Sequence, residues 1–465
     1  MKIRFPLLIA VFCFFNSLHA QETAKRLELA MNQLMREAAF EHAIFGIYVA
    51  DASTGKTVFE MNSNAGLAPA SCQKIITSVA AFEILGKDFR YSTDFYLSKK
   101  GNNSYLGIDA SGDPTFGSNR WVFTSAGNIY KKLQKALSEK QVQQLMPAIE
   151  INAGNFSYQP VPDGWVWQDI GNYYGAGAFA FNWNENKFDW ILEAGKKPGD
   201  TVTIKGFDPD NSHINTRCLI RTGEKGSGDN AYIYSSPYNN NYFATGTIPA
   251  GQTKFTVKAS MHDPADFFAR ELLLRLEANG LISESNRLTG SPVRYSSDKQ
   301  TGELIAGFQS PSLDSINYWF LKKSINLYGE AIVKTMGAKI KNTASTDSGV
   351  AVIRSFWAGK GIEKSSMKII DGSGLSPANR VTAKALVNVL QYAKKQSWFS
   401  SFYNALPEMN AMKMKDGYIG GVRSYAGYSK SNAGKEYVFS FIVNNFDGDP
   451  SAAREKIWAV LDLLK

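Results

Sequence analysis

Histidine and cysteine are scarce in this chain: four of one and three of the other among 465 residues. His19, His42, His213 and His262 are dispersed, and neither HExxH nor CxxC occurs, so a metal site has little support. GxSxG is also missing; a Ser-His-Asp triad is not excluded, but no motif speaks for one. Cys72 and Cys218 lie far apart. A disulfide is open to them in an oxidising compartment, but two free buried thiols are the expectation. No stretch after the first fifteen residues is long and apolar enough to span a bilayer. Basic residues are scattered and never run together, so nucleic-acid binding is not indicated. There is no internal repeat and no low-complexity tract.

The N-terminus has a pattern of its own. Lys2 and Arg4 precede the apolar run Pro6 to Phe15, and Leu18-His19-Ala20 ends in a small residue. This is the form of a secretory signal peptide cut after Ala20, with a retained anchor as the alternative; the run is too short for a membrane-spanning helix. Cys13 lacks the small neighbours of a lipoprotein signal. Cleavage would leave 49 basic and 42 acidic residues, a net charge of +7. The remaining chain of about 445 residues exceeds one ordinary core and predicts two or three domains.

Helical spacing of Leu27, Met31, Leu34 and Met35 predicts a helix over 22–40. Ile44 to Ala50 and Thr57 to Met61 form a hairpin across Asp51 to Gly55, and Ser71 to Leu85 is a helix stopped by Gly86. From about Asp88 to Ser260, short strands alternate with Gly, Asn, Asp and Pro turns, with one substantial helix at Ile129 to Leu145. Helical texture returns at Pro264 to Asn279, Leu313 to Met336, Val350 to Gly359 and Thr382 to Lys395. Gly420 to Tyr428 and Glu436 to Asn444 read as paired strands, and Ser451 to Leu464 as a last helix capped by Asp449. The two ends can share one sheet. The expected fold is therefore an α/β (α+β) chain: a discontinuous domain of 21–88 and 262–465, with an antiparallel sheet flanked by helices, and a large β-rich insertion at 89–261 made of one or two modules.

Four segments can carry chemistry. In Ser71-Cys-Gln-Lys74 a serine and a lysine three apart share one helix face. A desolvated Lys74 can take the Ser71 proton while the hydroxyl attacks a carbonyl, and the helix N-terminus favours the negative charge that develops. An S-x-x-K tetrad arises roughly once or twice by chance in a chain this long, and an N-cap serine beside a solvated lysine is the plain alternative. The following run, Ile75-Ile-Thr-Ser-Val-Ala-Ala-Phe82, is too apolar for a surface helix and places Lys74 at the mouth of a buried one. Ser324-Ile-Asn326 offers a hydroxyl and an amide able to relay a proton and hold a substrate amide, or else polar residues at a helix boundary. Lys415-Asp416-Gly417-Tyr418 offers a charge beside a glycine that lets a ligand approach the backbone, or else a hairpin turn. Asp371-Gly-Ser-Gly-Leu-Ser376 reads as a tight structural turn near the site.

S-x-x-K, S-x-N and K-x-G in this order resemble the penicillin-binding proteins and serine β-lactamases. The gap of about 250 residues from Ser71 to Ser324, then about 90 to Lys415, resembles the class C low-molecular-mass penicillin-binding proteins, the D-alanyl-D-alanine carboxypeptidase/endopeptidase family. Ala110-Ser-Gly-Asp-Pro-Thr115, the spacing from Asn317 to Glu330, and Asp371 to Ser376 match as well, so the resemblance covers essentially the whole mature chain. It implies a periplasmic serine D,D-carboxypeptidase or endopeptidase that cleaves D-alanyl bonds of peptidoglycan stem peptides and is acylated by β-lactams, with no cofactor. It further implies Ser71 as nucleophile and Lys74 as general base. Ser324 and Asn326 become proton relay and substrate positioners, and Lys415 the carboxylate partner. The oxyanion hole falls to the backbone N–H groups of Ser71 and Tyr418. In the insertion Asp169 and Tyr174, with Trp165, become a pocket for the distal amine of a stem-peptide side chain, against ordinary core as the alternative.

Two positions depart from the family pattern. Asp416 stands where Thr or Ser is usual, and Pro377 where Arg often follows the D-G-S-G-L-S run. A hydroxyl donates to a substrate carboxylate, whereas an ionised aspartate repels it unless it pairs with a lysine or points away. Asp416 and Gly417 thus bear on substrate binding. A catalytically weakened wall-binding protein and a β-lactamase are the competing readings.

Overall fold

A computed structural model of the chain describes residues 21–101, 103–142, 145–210, 213–282 and 290–465. The expected signal peptide lies outside the described residues. No helix among them is long and apolar enough to cross a membrane. The chain divides into two compact units. One holds the residues up to Glu83, Asn317–Ser324 and Ile353–Lys465; the other holds Ile84–Ile316 and Ile325–Val352.

The first unit is built on one antiparallel sheet. Its strand order is Glu408–Met409, Met412–Ile419, Val422–Lys430, Glu436–Asn444, Ile44–Asp51, Thr57–Met61, so the two chain ends do share a sheet. Phe45, Ile47 and Val49 alternate with residues that are themselves buried, because both faces are covered. That is why Ile44 to Ala50 reads as an unbroken apolar run. On one face Phe439, Phe441 and Val443 pack with Leu27, Met31 and Leu34 of the helix over 21–34 and with Ile457 and Leu461 of Pro450–Leu461. The helix Ala383–Lys394 packs on Glu436–Asn444 and Ile44–Asp51. Asp449 caps the last helix by accepting from the Ala452 N–H, as expected.

Among its described residues the second unit carries three sheets. A five-stranded one runs Val293–Ser296, Leu145–Asn152, Asn103–Asp109, Ser92–Lys100, Glu303–Gln309; a three-stranded one is centred on Lys187–Glu193, and a four-stranded one on Asn241–Pro249. The boundaries expected at 88/89 and 261/262 fall elsewhere for a packing reason. Glu303–Gln309 pairs antiparallel with Ser92–Lys100, and Phe268 of the helix Pro264–Ala278 packs at tilted and edge-on angles among Phe95, Phe181 and Trp183. Residues 263–316 therefore belong with the β-rich core.

Two local expectations are corrected. The helix expected at Ile129 to Leu145 spans Ala126–Glu139, and Leu145 opens a strand. Leu313 to Met336 is two helices, Leu313–Lys322 and Asn326–Lys341, interrupted by Ser324 at φ +55°. Lys415-Asp-Gly-Tyr lies on a strand, as its placement at the start of the late strands implied, and not in the alternative hairpin turn: it is inside Met412–Ile419, registered on Val422–Lys430 with Gly417 opposite Ser424.

Phe441 is fully buried in the core under the terminal helices. Phe441→Ala should cost about 3–5 kcal/mol, read as a lowered midpoint in urea denaturation with an unchanged slope.

Candidate active site

Ser71 sits in a single 3-10 turn, Ala70–Cys72, that runs directly into the helix Gln73–Ile84. No side chain caps that turn. Lys74 lies one turn on, and its Nζ donates to Ser71 Oγ at 2.8 Å and to the Ser373 carbonyl at 2.8 Å. Its side chain is fully buried, with Nζ 5.9 Å from the centre of the Phe320 ring. A primary amine is thus taken out of water and aimed at a hydroxyl, an arrangement suited to proton transfer from that hydroxyl.

The backbone before Ser71 is strained and pinned. Ala70 adopts φ +43°. The Ser424 hydroxyl donates to the Pro69 carbonyl, and Asn444 both donates to and accepts from the Ala68 backbone. Leu67 exchanges both backbone hydrogen bonds with Val381. Strained non-glycine backbone costs of order 1–3 kcal/mol per residue and persists where the surroundings over-determine it.

The carbonyl that receives Lys74 is set by a buried carboxylate. Asp371 Oδ1 accepts from Gln73 Nε2 (2.8 Å), Gly374 N (2.8 Å) and Asn379 Nδ2 (2.9 Å), and Oδ2 accepts from Ser376 N (2.7 Å). Thr77 Oγ1 donates to the Gly372 carbonyl at 2.7 Å. Gly374 has φ +81°, and a Cβ there would lie 1.9 Å from the Ala70 carbonyl. The Asp371 to Ser376 loop is the structural turn expected, locked to the helix of Ser71 by Gln73 and Thr77.

The third motif runs alongside Ser71. A Cβ on Gly417 would lie 2.8 Å from Ser71 N and 2.7 Å from the Pro69 carbonyl, so only glycine fits this approach. Cys72 Sγ donates to the Lys415 carbonyl at 3.1 Å; burial pushes this thiol up to about 12. Lys415 is buried, and its Nζ donates to Asp416 Oδ1 at 2.8 Å and to the Asp416 carbonyl at 2.7 Å. Burial pushes the Asp416 carboxyl up, but the Lys415 charge and hydrogen bond outweigh it and hold the group below its ordinary value. Tyr418 is half exposed, with the Arg423 guanidinium 4.4 Å from its ring centre.

Ser324 falls in the first unit, between the helix end at Lys322 and the helix start at Asn326. Asn326, Asp169, Tyr174 and Trp165 fall in the second. There, Asn326 Nδ2 donates to the Tyr174 carbonyl at 2.8 Å. Burial pushes Asp169 up to about 6, opposed by its hydrogen bond with Tyr174, whose own hydroxyl is raised by burial and by Asp169. Trp165 is buried. The structure thus brings Ser71, Lys74 and Gly417 together, joins Lys415 to Asp416, and joins Asn326 and Asp169 to Tyr174.

His262 Nε2 lies 2.9 Å from Ser260 Oγ, but both residues are buried, and burial pushes the imidazole down to about 3. Both cysteines are free; Cys72 is buried as expected, whereas Cys218 is only partly so. Among the described residues no group of three or more His, Cys, Asp or Glu side chains could hold a metal ion.

The family model for D-Ala-D-Ala carboxypeptidase 3 (S13) matches residues 27–464. The chain belongs to that family. Among its relatives are a D-alanyl-D-alanine carboxypeptidase of Actinomadura sp. (strain R39), 25% identical over 92% of this chain and 82% of that one, and the D-alanyl-D-alanine carboxypeptidase DacB of Haemophilus influenzae, 23% identical over 86% and 85%. The fold is that of penicillin binding protein 4 from H. influenzae, with a TM-score of 0.77 over 93% of this chain and 98% of that one at 21% identity. The resemblance read from the motifs is thereby borne out.

Within this S13 chain, sequence reading missed the partners that are backbone or lie far along the chain: the Ser373 carbonyl, the Asp371 hub and the Phe320 ring. The paired glycines of Asp-Gly-Ser-Gly were the only signal for the first two. Gly417→Ala should cost about 1–3 kcal/mol by forcing Pro69 and Ser71 aside. Gly420→Ala, with open space at its Cβ, should stay within about 0.5 kcal/mol. Thermal or urea unfolding of the pair checks the contrast, and equal costs would remove the claimed close approach.

Proposed function

We propose that this chain is a periplasmic serine D,D-carboxypeptidase or endopeptidase that cleaves D-alanyl bonds in peptidoglycan stem peptides through an acyl intermediate on Ser71, and that β-lactams acylate the same hydroxyl. The observation that carries this reading is the buried Lys74 amine held 2.8 Å from Ser71 Oγ. Unprotonated, Lys74 takes the hydroxyl proton as Ser71 Oγ attacks the penultimate D-alanine carbonyl, whose oxygen becomes negative. The backbone N–H groups of Ser71 and Tyr418 are assigned to that oxygen. Collapse expels the leaving amine, which takes a proton relayed through Ser324; Asn326 holds the substrate amide. Water then attacks the ester, Ser71 recovers its proton, and the shortened peptide leaves. In a carboxypeptidase the leaving amine is free D-alanine; in an endopeptidase it belongs to a cross-linked side chain, and the steps at Ser71 are identical.

Asp169 and Tyr174, with Trp165 beside them in sequence, are assigned to the distal amine of the stem-peptide side chain. A half-buried carboxylate that titrates near 6 is charged at neutral pH and can pair with an ammonium. Lys415 and Gly417 are assigned to the terminal carboxylate. The Lys415–Asp416 pair supports a second reading, a catalytically weakened wall-binding protein, because it occupies the cation meant for the substrate.

Mass spectrometry after incubation with penicillin should show one adduct, on Ser71. Lys74→Ala should slow that acylation by about 10²–10⁴-fold with the fold intact; acylation at the wild-type rate would reassign the base, and a wild-type chain without adduct would favour the weakened reading. Asp416→Thr should release Lys415 and lower KM for D-Ala-D-Ala peptides, and an unchanged or higher KM would remove the carboxylate role given to Lys415.

A further inference from the structure

The segment that carries Trp165, Asp169 and Tyr174 runs within the second unit from Gln159 to Ala178. Its middle is fixed to strands. Gly171 leaves no room for a Cβ, which would lie 2.0 Å from the Ile233 carbonyl. Asn172 Oδ1 accepts from Ile233 N at 3.1 Å, and Ser260 N donates to the Gly171 carbonyl at 2.9 Å. At the neck the Ala178 N–H donates to the Pro160 carbonyl at 3.0 Å.

A buried lysine completes the neck. Lys334, on the helix Asn326–Lys341, has no exposed surface, and its Nζ donates to the Gln159 carbonyl at 2.7 Å and to the Ala178 carbonyl at 2.7 Å. These are the residues where the loop begins and ends. Two turns earlier the same helix presents Asn326, whose Nδ2 holds the Tyr174 carbonyl. One helix thus grips the loop at its neck and near its tip.

Burying an amine is costly, and a methionine would fill the same space without a charge. Burial pushes Lys334 down to about 8, opposed by the charge of Glu330 one turn before it, so at neutral pH it bonds mainly as an ammonium. Hydrogen bonds from a charged donor are stronger than neutral ones.

We propose that Lys334 is a positioning residue for side-chain selectivity: by tying Gln159 to Ala178 it fixes the loop on which Asp169 and Tyr174 receive the distal amine of the stem peptide. The inference rests on the assignment of those two residues to that amine. It concerns where they are held, not the chemistry at Ser71.

The test compares two D-Ala-D-Ala peptides that differ only in whether the side-chain amine of the third residue is free or acetylated. The full chain should prefer the free amine. In Lys334→Met, KM for the free-amine peptide should rise about tenfold with kcat within about twofold, while KM for the acetylated peptide stays put, so the preference is lost. A purely structural role would lower the melting temperature and leave the preference intact, and that result overturns the inference. Should Lys334→Met fail to give a native near-UV circular dichroism spectrum, Lys334→Gln, whose shorter amide reaches at most one of the carbonyls, replaces it: a reduced preference supports the role, a wild-type preference overturns it. A wild-type chain that does not distinguish the peptides ends the amine-pocket assignment and this inference with it. A discriminating wild type with an equally discriminating variant ends this inference alone.

Discussion

Much of the first unit is organised around one costly placement, the Lys74 amine in a site without solvent exposure. Burial of an amine must be offset by partners held in position beforehand, and two are Ser71 Oγ and the Ser373 carbonyl. Each has to be fixed by something else. Ser71 is fixed by the clamp on Leu67, Ala68 and Pro69, which the sheet supplies through Ser424 and Asn444. Ser373 is fixed by Asp371, which in turn holds Gln73, next to Lys74 in the chain. The loop and the helix thus lock one another, and the lysine lies between them.

This closure accounts for one strained and two glycine-dependent positions beside Ser71. Ala70 lies in the left-handed region, Gly374 passes against its carbonyl, and Gly417 passes against Ser71 N. All three serve one geometric need, three backbone segments drawn closer than side chains permit.

Legibility in the sequence followed the range of the interactions. The opening hairpin and the capped last helix were readable because their turn and cap residues are local. Ser71 and Lys74 were readable because an i, i+3 spacing fixes a shared helix face and the apolar run after them signals burial. The break in Leu313 to Met336 was not readable: apolar spacing continues through it, and Ser324 takes φ +55° against its own preference. The strand Met412–Ile419 was legible only in part: Lys415 read as a strand-edge residue, but Asp416-Gly417 has the composition of a turn and left that alternative open until pairing with Ser424 and Tyr425 drew the segment into the sheet. The place of Glu303–Gln309 beside Ser92–Lys100 depends on a pairing some two hundred residues apart, which no local pattern reports.

The pairing of Lys415 with Asp416 is where the family pattern and this chain part, and its physics runs both ways. A half-exposed carboxylate gains from a neighbouring ammonium, and the Asp416 carboxyl is accordingly held below its ordinary value. Yet Lys415 is itself almost wholly buried, and an ammonium there without an anion would carry an unmet desolvation cost. In the free protein Asp416 meets that cost. A substrate carboxylate can replace it only if Asp416 swings into water, which its partial exposure permits. On the proposed assignment of Lys415 to the substrate's terminal carboxylate, binding exchanges one carboxylate for another on a resident cation: it trades affinity for a site whose charge is balanced when empty, and a hydroxyl at position 416 would leave that balance to solvent.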